Sequence, residues 1–298
     1  MSPADPRTTL SSSAADASFP AADTHHLDPR FVFDFAPQAD PGEGERLSTW
    51  LDVEPLCRGP EPRPDWVVTS TAAVDTDLGV LKTGKEADVV LLERAVRGDP
   101  GRGVVMAAKR YRDDRHRSFH RSALYTEGRR TRRSRDARAV AKKTAHGRAV
   151  AAGQWAGAEW EALTRFWTAG LPVPYPVQID GTEILMELIT VDGDPAPRLA
   201  QARPDKALLA CWFDQLRDAM TQLARLGVAH GDLSPYNVLA AGERLVLIDL
   251  PQAVDLVANP AGPDLLLRDC HNVCTWFNQR GLDVDEHGLF AELLASAW

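Results

Sequence analysis

The chain has 298 residues, of which 44% are hydrophobic, enough to bury the core of one two-lobed domain or two small domains. Its net charge of −8 and pI of about 5.5 give no overall reason to expect a nucleic-acid partner. The cysteines form no CxxC pair, no export signal precedes them, and no apolar run approaches the roughly 18 residues that span a membrane. We therefore expect a protein of the reducing cytoplasm without membrane contact.

One segment departs from this acidic average. Residues 109–148 carry fifteen Lys or Arg and four Asp or Glu, a net charge of +11. Such a strip is usually a solvated segment, but it also suggests contact with RNA, a ribosome or an acidic protein. Around the arginine run at residues 129–135 there is little aromatic interleaving beyond Phe119 and Tyr125, so the sequence indicates no aromatic platform on which bases could stack.

The N-terminal part of the chain lacks a regular hydrophobic period. Residues 1–45 are rich in Ala, Ser, Pro and Asp, and we expect them to be largely disordered. Residues 46–66 contain Trp50 and Leu51, which could pack onto a following domain, but Pro60, Pro62 and Pro64 exclude a long helix there. Regular structure is therefore expected from about Trp66 onward.

Apolar periodicity and turn signals predict the remaining elements. Strands are predicted at 87–95, 103–111, 171–179, 183–189 and 244–249, and helices at 154–169, 205–226, 264–279 and 285–296. Strands with one helix come first and mostly helices follow, which predicts an α+β fold with a small β-rich lobe stacked on a helical lobe. We expect one domain over 46–298, with an N-lobe at about 66–189, a basic insert at about 112–150 and a C-lobe at about 190–298.

The most informative segment is HGDLSPYNVLAAGERLVLIDLPQAVD, residues 230–255. Asn237 follows Asp232 by five residues, and Asp249 comes after a further apolar strand. A phosphate transfer needs a carboxylate beside the attacking hydroxyl and oxygen ligands for the magnesium ions that neutralise the phosphates of ATP. Asp232 suits the first role, and Asn237 and Asp249 suit the second. A purely structural turn would require several independent features to coincide, so the segment predicts a phosphotransferase.

Lys109 ends the apolar strand VVMAAKRY, where its ammonium can point at the α- and β-phosphates of a nucleotide. Taken alone, a lysine at a strand end is as often simply solvated. A phosphate-binding lysine needs an anionic partner from a helix, and AEWEAL supplies Glu159 and Glu161. The two glutamates lie on different helix faces, so at most one is the partner, and Glu159 is the better candidate.

A polar loop, LKTGKEADVV, lies at residues 81–90. Thr83 and Gly84 could lay a hydroxyl and backbone N–H groups over phosphates, and Lys85 is a further candidate contact. The loop is not a Walker motif and lacks the three glycines of the usual kinase loop. Taken alone, it is equally consistent with a plain hairpin turn.

Together, TGKEADVV, Lys109, HGDLSPYNVL and IDLPQAV resemble the RIO family of atypical protein kinases over roughly residues 66–280. TGKEA and ID-x-P-Q are specific to that family among kinase-like folds. The resemblance implies a two-lobed protein-kinase-like fold, trimmed of the activation segment and the peptide-binding subdomains. It also implies transfer of the ATP γ-phosphate to protein Ser or Thr, including autophosphorylation, with Mg²⁺ or alternatively Mn²⁺ as cofactor and Asp232 as catalytic aspartate.

The resemblance also implies the contacts to nucleotide and metal. Lys109 would bind phosphate with Glu159 as its partner, Met186 would be the gatekeeper, and backbone groups of Glu187 and Ile189 would hold the adenine. The implied metal ligands are Asn237 and Asp249. In some members of the family the counterpart of Asp249 itself accepts phosphate, which makes those members behave as ATPases.

Three positions depart from the family pattern. Lys82 stands where Ser is common, which puts a hydroxyl contact to phosphate in doubt. Asp88 replaces a common Asn, and Pro235 replaces a common Glu in the catalytic loop. None of these departures removes a core catalytic group. The sequence is closest to the subgroup without an N-terminal winged helix, and the basic stretch corresponds to the flexible insert of the family.

Other functions remain to be separated from this one. An aminoglycoside-type phosphotransferase shares the HGD loop and the later Ile-Asp, but TGKEA and the Pro251-Gln252 pair argue against it. An ATPase switch would cycle through phospho-Asp249 with a ribosomal or RNA partner. A pseudokinase scaffold would not need the full set of catalytic groups that the chain retains.

Overall fold

A computed structural model of the chain describes residues 42, 44–112 and 145–297. The predictions for residues 1–41, and for most of the basic segment, fall outside these ranges. Within them, an antiparallel sheet and one helix are followed by a mainly helical region. The predicted α+β fold with a β-rich lobe and a helical lobe is therefore confirmed. None of the described helices combines the length and the apolar character needed to cross a membrane.

The first lobe is built on a six-stranded antiparallel sheet with the order β1-β2-β3-β4-β6-β5. Its strands are β1 (Glu45–Leu47), β2 (Ala73–Thr83), β3 (Ala87–Val96), β4 (Asp99–Tyr111), β5 (Pro176–Asp180) and β6 (Glu183–Glu187). The sequence predicted β3, β4, β6 and part of β5. It missed β1 and β2, because β2 contains Asp75, Asp77 and Gly79, which disfavour strands, and is held in place by its pairing with β3.

Helix α1 (Ala145–Thr168) lies between β4 and β5 in the chain and begins earlier than the predicted residue 154. Trp160, Leu163 and Phe166 are buried on one face, as their helical spacing predicts. Gly170 follows with φ of +82°, the left-handed conformation that commonly ends a helix. The predicted strand at 171–179 shortens to β5, because Pro172 and Pro174 cannot donate to a ladder.

The second lobe contains three α-helices, one 3-10 helix (Leu199–Gln201) and several short strand pairs. The helices are α2 (Lys206–Arg225), α3 (Gly262–Asn278) and α4 (Glu286–Ser296). The short strands are β7 (Thr190–Val191), β8 (Asp194–Pro195), β9 (Val228–Ala229), β10 (Val238–Ala241), β11 (Arg244–Leu247) and β12 (Val254–Asp255). Residues 256–261 alone connect β12 to α3, so the lobe is trimmed as predicted.

The core of the second lobe explains the apolar faces of its helices. Asp205 caps α2 by accepting a hydrogen bond from the Leu208 N–H at 2.8 Å. Trp212 is buried on α2, and Cys270 and Cys274 are buried on α3 in the same core. The two cysteines are free thiols, and burial raises the pKa of Cys270 to about 12 and that of Cys274 to about 11.

A buried ion pair joins the strands on the outer face of the sheet. The Arg94 guanidinium is fully buried and donates to both carboxylate oxygens of Asp75, at 2.6 and 2.9 Å. It also donates to Gln178 on β5 at 2.8 Å. Because an unpaired buried charge is costly, these bonds favour one arrangement of β2, β3 and β5. Trp50 packs on the same face with 3% exposure, whereas Leu51, predicted to pack with it, is 52% exposed.

Candidate active site

A cleft of about 670 Å³ lies between the sheet and the second lobe. This volume is in the range of small-molecule and cofactor sites. Strands β3 and β4 line it from one side, and β10 and the segment after β11 line it from the other. Its lining residues include Val89, Ala107, Lys109, Glu159, Met186, Leu239, Ile248 and Asp249. Apolar walls with a few charged groups suit a ligand that has both a flat apolar part and an anionic part.

Lys109 lies between two carboxylates in this cleft. Its Nζ is 2.7 Å from Glu159 Oε1 and 2.9 Å from Asp249 Oδ1. Glu159 is 2% exposed and its other oxygen accepts from the Tyr111 hydroxyl. Burial by itself opposes the charge of Lys109, but the two carboxylates hold its pKa well above the usual value. The structure thus brings Glu159 against Lys109, while Glu161 lies on the exposed face of α1.

Asp249 has an unusual backbone. Its φ is +67°, a left-handed conformation that costs free energy for a residue with a side chain. The following Leu250 is fully buried, while the Asp249 side chain is 44% exposed in the cleft. The nearby ammonium of Lys109 lowers the pKa of Asp249 despite the opposing effect of burial. A charged carboxylate is therefore held where it can meet a cation or a phosphate.

The loop that carries Asp232 and Asn237 is tied to the strand before Asp249. Asn237 Nδ2 donates to the Asp232 carbonyl at 2.8 Å, and the Ile248 N–H donates to the Asn237 carbonyl at 3.0 Å. The side-chain oxygen of Asn237 is the polar atom that this arrangement leaves for a cation. Amide and carboxylate oxygens suit Mg²⁺, so Asn237 and Asp249 fit the ligand set expected of them. Asp232 and Asn237 are not among the side chains that line the cleft in the described part of the chain.

Sequence reasoning missed the residue that holds this loop in place. Asp269 on α3 is 1% exposed, and its carboxylate accepts from the N–H groups of Gly231 and Leu233, both at 2.8 Å. Burial raises the pKa of Asp269 to about 6, although His230 and the two N–H donors oppose that rise. In the sequence Asp269 is one polar residue in an amphipathic helix, so only the packing of α3 under the loop shows its role.

We expect Asp269→Asn to lower the melting temperature and turnover together. An amide has one acceptor oxygen, so one of the two N–H groups of the loop would face the Asn NH₂ group. Leaving a buried donor unpaired costs about 1–3 kcal/mol. Asp264→Asn is the matched control, because Asp264 lies exposed in the first turn of the same helix. Thermal unfolding and steady-state turnover measure both effects, and an Asp269→Asn protein as active as the Asp264→Asn control would contradict the assigned role.

The predicted phosphate loop is a hairpin between β2 and β3. The Gly84 N–H donates to the Ala87 carbonyl at 2.9 Å, and a Cβ at Gly84 would lie 2.7 Å from that oxygen, so the turn requires glycine. Gly84 and Lys85 line the cleft, whereas Thr83 is not among the described lining residues. Lys82 lines it as well, and burial together with the Arg198 charge lowers its pKa. The Lys82 side chain thus lines the cleft at the position where a hydroxyl contact to phosphate was in doubt.

The residues of the predicted hinge lie in the wall of the cleft. Met186, Glu187 and Ile189 all line it. The Glu187 N–H donates to the Tyr175 carbonyl and the Ile189 carbonyl accepts from the Ala196 N–H, both at 2.9 Å. A base bound at these residues would therefore use their other backbone groups, the Glu187 carbonyl and the Ile189 N–H.

Three further lining residues had no predicted role in the site, although Glu86 and Gln252 belong to the TGKEA and ID-x-P-Q motifs. Arg198 lines the cleft and donates to the Tyr236 carbonyl in the loop between Asp232 and Asn237. Gln252 and Glu86 also line it, and burial raises the pKa of Glu86. These residues come from three separate segments, so only the folded chain brings them to one cleft.

Comparisons with known proteins show which family this chain resembles. A family model described as RIO domain matches residues 102–289. The RIO-type serine/threonine-protein kinase Rio1 of Haloferax volcanii is 34% identical over 217 residues, which cover 73% of this chain and 68% of that protein. The serine/threonine-protein kinase RIO3 of Mus musculus is 34% identical over 139 residues, but the match spans only 27% of its length.

The fold has a counterpart among solved structures. The Rio2 kinase of Chaetomium thermophilum, in a structure described as an ADP/Mg²⁺-phosphoaspartate complex, superposes with a TM-score of 0.52. The identity is 20%, and the superposition covers 74% of this chain and 65% of that chain. At this identity the likeness shows a shared fold.

Proposed function

The chain belongs to the RIO family of kinases, and from that membership we propose that it transfers the γ-phosphate of ATP to serine or threonine of a protein substrate, its own chain included. The observation that supports this proposal most directly is the position of Lys109 between Glu159 and Asp249 in the cleft. A lysine fixed by a buried glutamate is the arrangement that holds the phosphates of ATP in protein kinases.

The proposed reaction assigns one task to each group. Apolar walls and the hinge hold the adenine, and Lys109, Lys82 and Lys85 face the phosphates. Mg²⁺, held by Asn237 and Asp249, would shield the charge of the phosphates. Asp232 orients the acceptor hydroxyl and takes its proton as the oxygen forms a bond to the γ-phosphorus. The bond from that phosphorus to the β–γ bridging oxygen breaks, and ADP leaves.

The test is the chemical identity of the product. We expect γ-labelled ATP and Mg²⁺ to give acid-stable label on protein, mapped by mass spectrometry to Ser or Thr. Extract proteins and a pool of small metabolites are supplied in separate reactions. Label that appears only in the metabolites would replace this proposal with a small-molecule phosphotransferase.

An ATPase that cycles through phospho-Asp249 is the second candidate, and one observation favours it. The Asp249 carboxylate is charged, 44% exposed and directed by its left-handed backbone into the cleft. Its oxygen could attack the γ-phosphorus in place of a hydroxyl, and water would later release the phosphate. A hydroxylamine-labile acyl phosphate mapped to Asp249, without label on Ser or Thr, would favour this candidate.

Four expectations from the sequence remain predictions. They are contact of residues 109–148 with RNA or a ribosome, use of Mn²⁺, the domain limits and a cytoplasmic location. Residues 113–144 lie outside the described part of the chain. Filter binding of labelled RNA with and without 200 mM salt would test the first of them, because phosphate contacts weaken steeply with salt on the order of this concentration.

A further inference from the structure

A segment that precedes the sheet's second strand runs across the outer face of the first lobe. This strap, residues 48–67, precedes residue 102, where the match to the RIO domain begins. Trp50 anchors it in the apolar cluster of the sheet, with Arg58 and Arg63 stacked at 5.6 and 5.2 Å from its ring centre. Thr49 accepts from Gln178 at 2.8 Å.

Contacts to β5 pin the middle of the strap. The Gly59 N–H donates to the Val177 carbonyl at 2.8 Å, and the Tyr175 hydroxyl donates to the Pro60 carbonyl at 3.0 Å. A Cβ at Gly59 would lie 2.0 Å from the Pro176 carbonyl oxygen, so the strap and β5 are in close backbone contact that only glycine allows. The strap is therefore fixed relative to β5.

One hydrogen bond joins this fixed strap to α1. The Trp160 indole Nε1–H donates to the Leu56 carbonyl at 3.2 Å. Trp160 is 7% exposed and directly follows Glu159, the partner of Lys109. Because neighbouring residues move together on a helix, a shift of α1 that carries Glu159 away from Lys109 also displaces Trp160, the donor to Leu56. The strap thus links α1 to β5 by a route that does not pass through the cleft.

The strap also reaches the hinge through one residue. Tyr175, whose hydroxyl meets Pro60, contacts Glu187 twice through its backbone. Its carbonyl accepts from the Glu187 N–H at 2.9 Å, and its N–H donates to Glu187 Oε2 at 3.1 Å. Both α1 and the hinge are therefore held by the same external segment.

We propose that the strap is a positioning element of the active site and that Trp160 is its positioning residue, holding α1 where Glu159 can pair with Lys109. This proposal rests on the proposed kinase or ATPase function. Neither the strap nor Trp160 is among the described residues that line the cleft, and loss of the Trp160–Leu56 bond frees α1 while the contacts between Tyr175 and Glu187 of the hinge are kept. We therefore expect loss of the Trp160–Leu56 bond to lower turnover more than it lowers the affinity for nucleotide.

Trp160→Phe tests the proposal, with Trp212→Phe as the matched control. Trp212 is also a buried tryptophan whose Nε1–H donates to one backbone carbonyl, that of Glu243, at 3.1 Å, but it lies on α2 in the second lobe. We expect Trp160→Phe to lower kcat by about tenfold to a hundredfold, the size that small misplacements reach, while KM for ATP changes little. The rate of amide hydrogen exchange over residues 154–168 rises only in Trp160→Phe. The melting temperature falls by a similar amount in both variants.

A second variant approaches the same contact from the strap. Gly59→Ala forces the strap away from β5 while every residue of α1 is kept, and we expect a fall in kcat of the same size. If circular dichroism shows that Trp160→Phe does not fold, the turnover of Gly59→Ala tests the proposal instead. Turnover in both variants at the wild-type level overturns the proposal, and so does an equal fall in the Trp212→Phe control. A wild-type protein without ATP turnover overturns the proposed function instead, and hydrogen exchange of α1 then decides the role of the strap by itself.

Discussion

Replacement of Asp232 by Asn is expected to abolish phosphate transfer while ATP binding is retained. Asn keeps the size of the side chain and removes its capacity to take the proton of the acceptor hydroxyl. General-base catalysis of this kind contributes about 10²–10⁴-fold to a rate. Asp232 is not among the described residues that line the cleft, so the affinity for nucleotide should change little. Initial rates of transfer and calorimetric titration with MgADP measure the two quantities separately.

The control for this variant is Asp214→Asn. Asp214 lies on the surface of α2, is 63% exposed and has only a long ion pair of 3.7 Å with Arg217. Asp232 has a comparable 3.5 Å pair with Arg268, and surface pairs of this kind contribute little to stability. Similar melting temperatures for the two variants would exclude misfolding as the cause. Unchanged turnover in Asp232→Asn would show that the loop has been assigned wrongly.

Replacement of Lys109 by Met is expected to weaken both turnover and the binding of ATP. The ammonium is the group in the cleft that two carboxylates hold ready for phosphate. Loss of one preorganised donor to developing charge costs about 10²–10³-fold in rate. Glu159, at 2% exposure, would keep only the Tyr111 hydroxyl as a partner, so the melting temperature should also fall. Affinity for MgADP should fall while affinity for adenosine is kept, because adenosine lacks the phosphates.

Lys206→Met controls for the change of side chain, since Lys206 is exposed at the start of α2. Lys109→Arg should not restore activity, because a planar guanidinium cannot replace a compact ammonium between two carboxylates. Equal loss of affinity for adenosine and for MgADP in Lys109→Met would show general damage to the cleft. Full affinity for both ligands would instead place the phosphates elsewhere.

The elements that could be predicted from the sequence are those whose burial follows a local period. Strand β3 and helix α2 carry alternating and helical apolar patterns, and both formed close to the predicted limits. Strand β2 has no such pattern, because its second half is exposed on both faces and forms only by pairing with β3. The strap was unpredictable for the same reason, since its contacts are with strands and a helix far along the chain.

The sequence by itself determined the family and the identity of the candidate reacting groups, because Asp232, Asn237, Asp249 and Lys109 lie in short motifs whose spacing is a property of the chain. The tertiary structure decided their partners. It set Glu159 against Lys109, and it placed Asp269 under the loop of Asp232. It also bonded Trp160 to the strap. Each of these contacts joins residues at least 36 positions apart in the chain, so it depends on how helices and strands pack and leaves no local pattern to read.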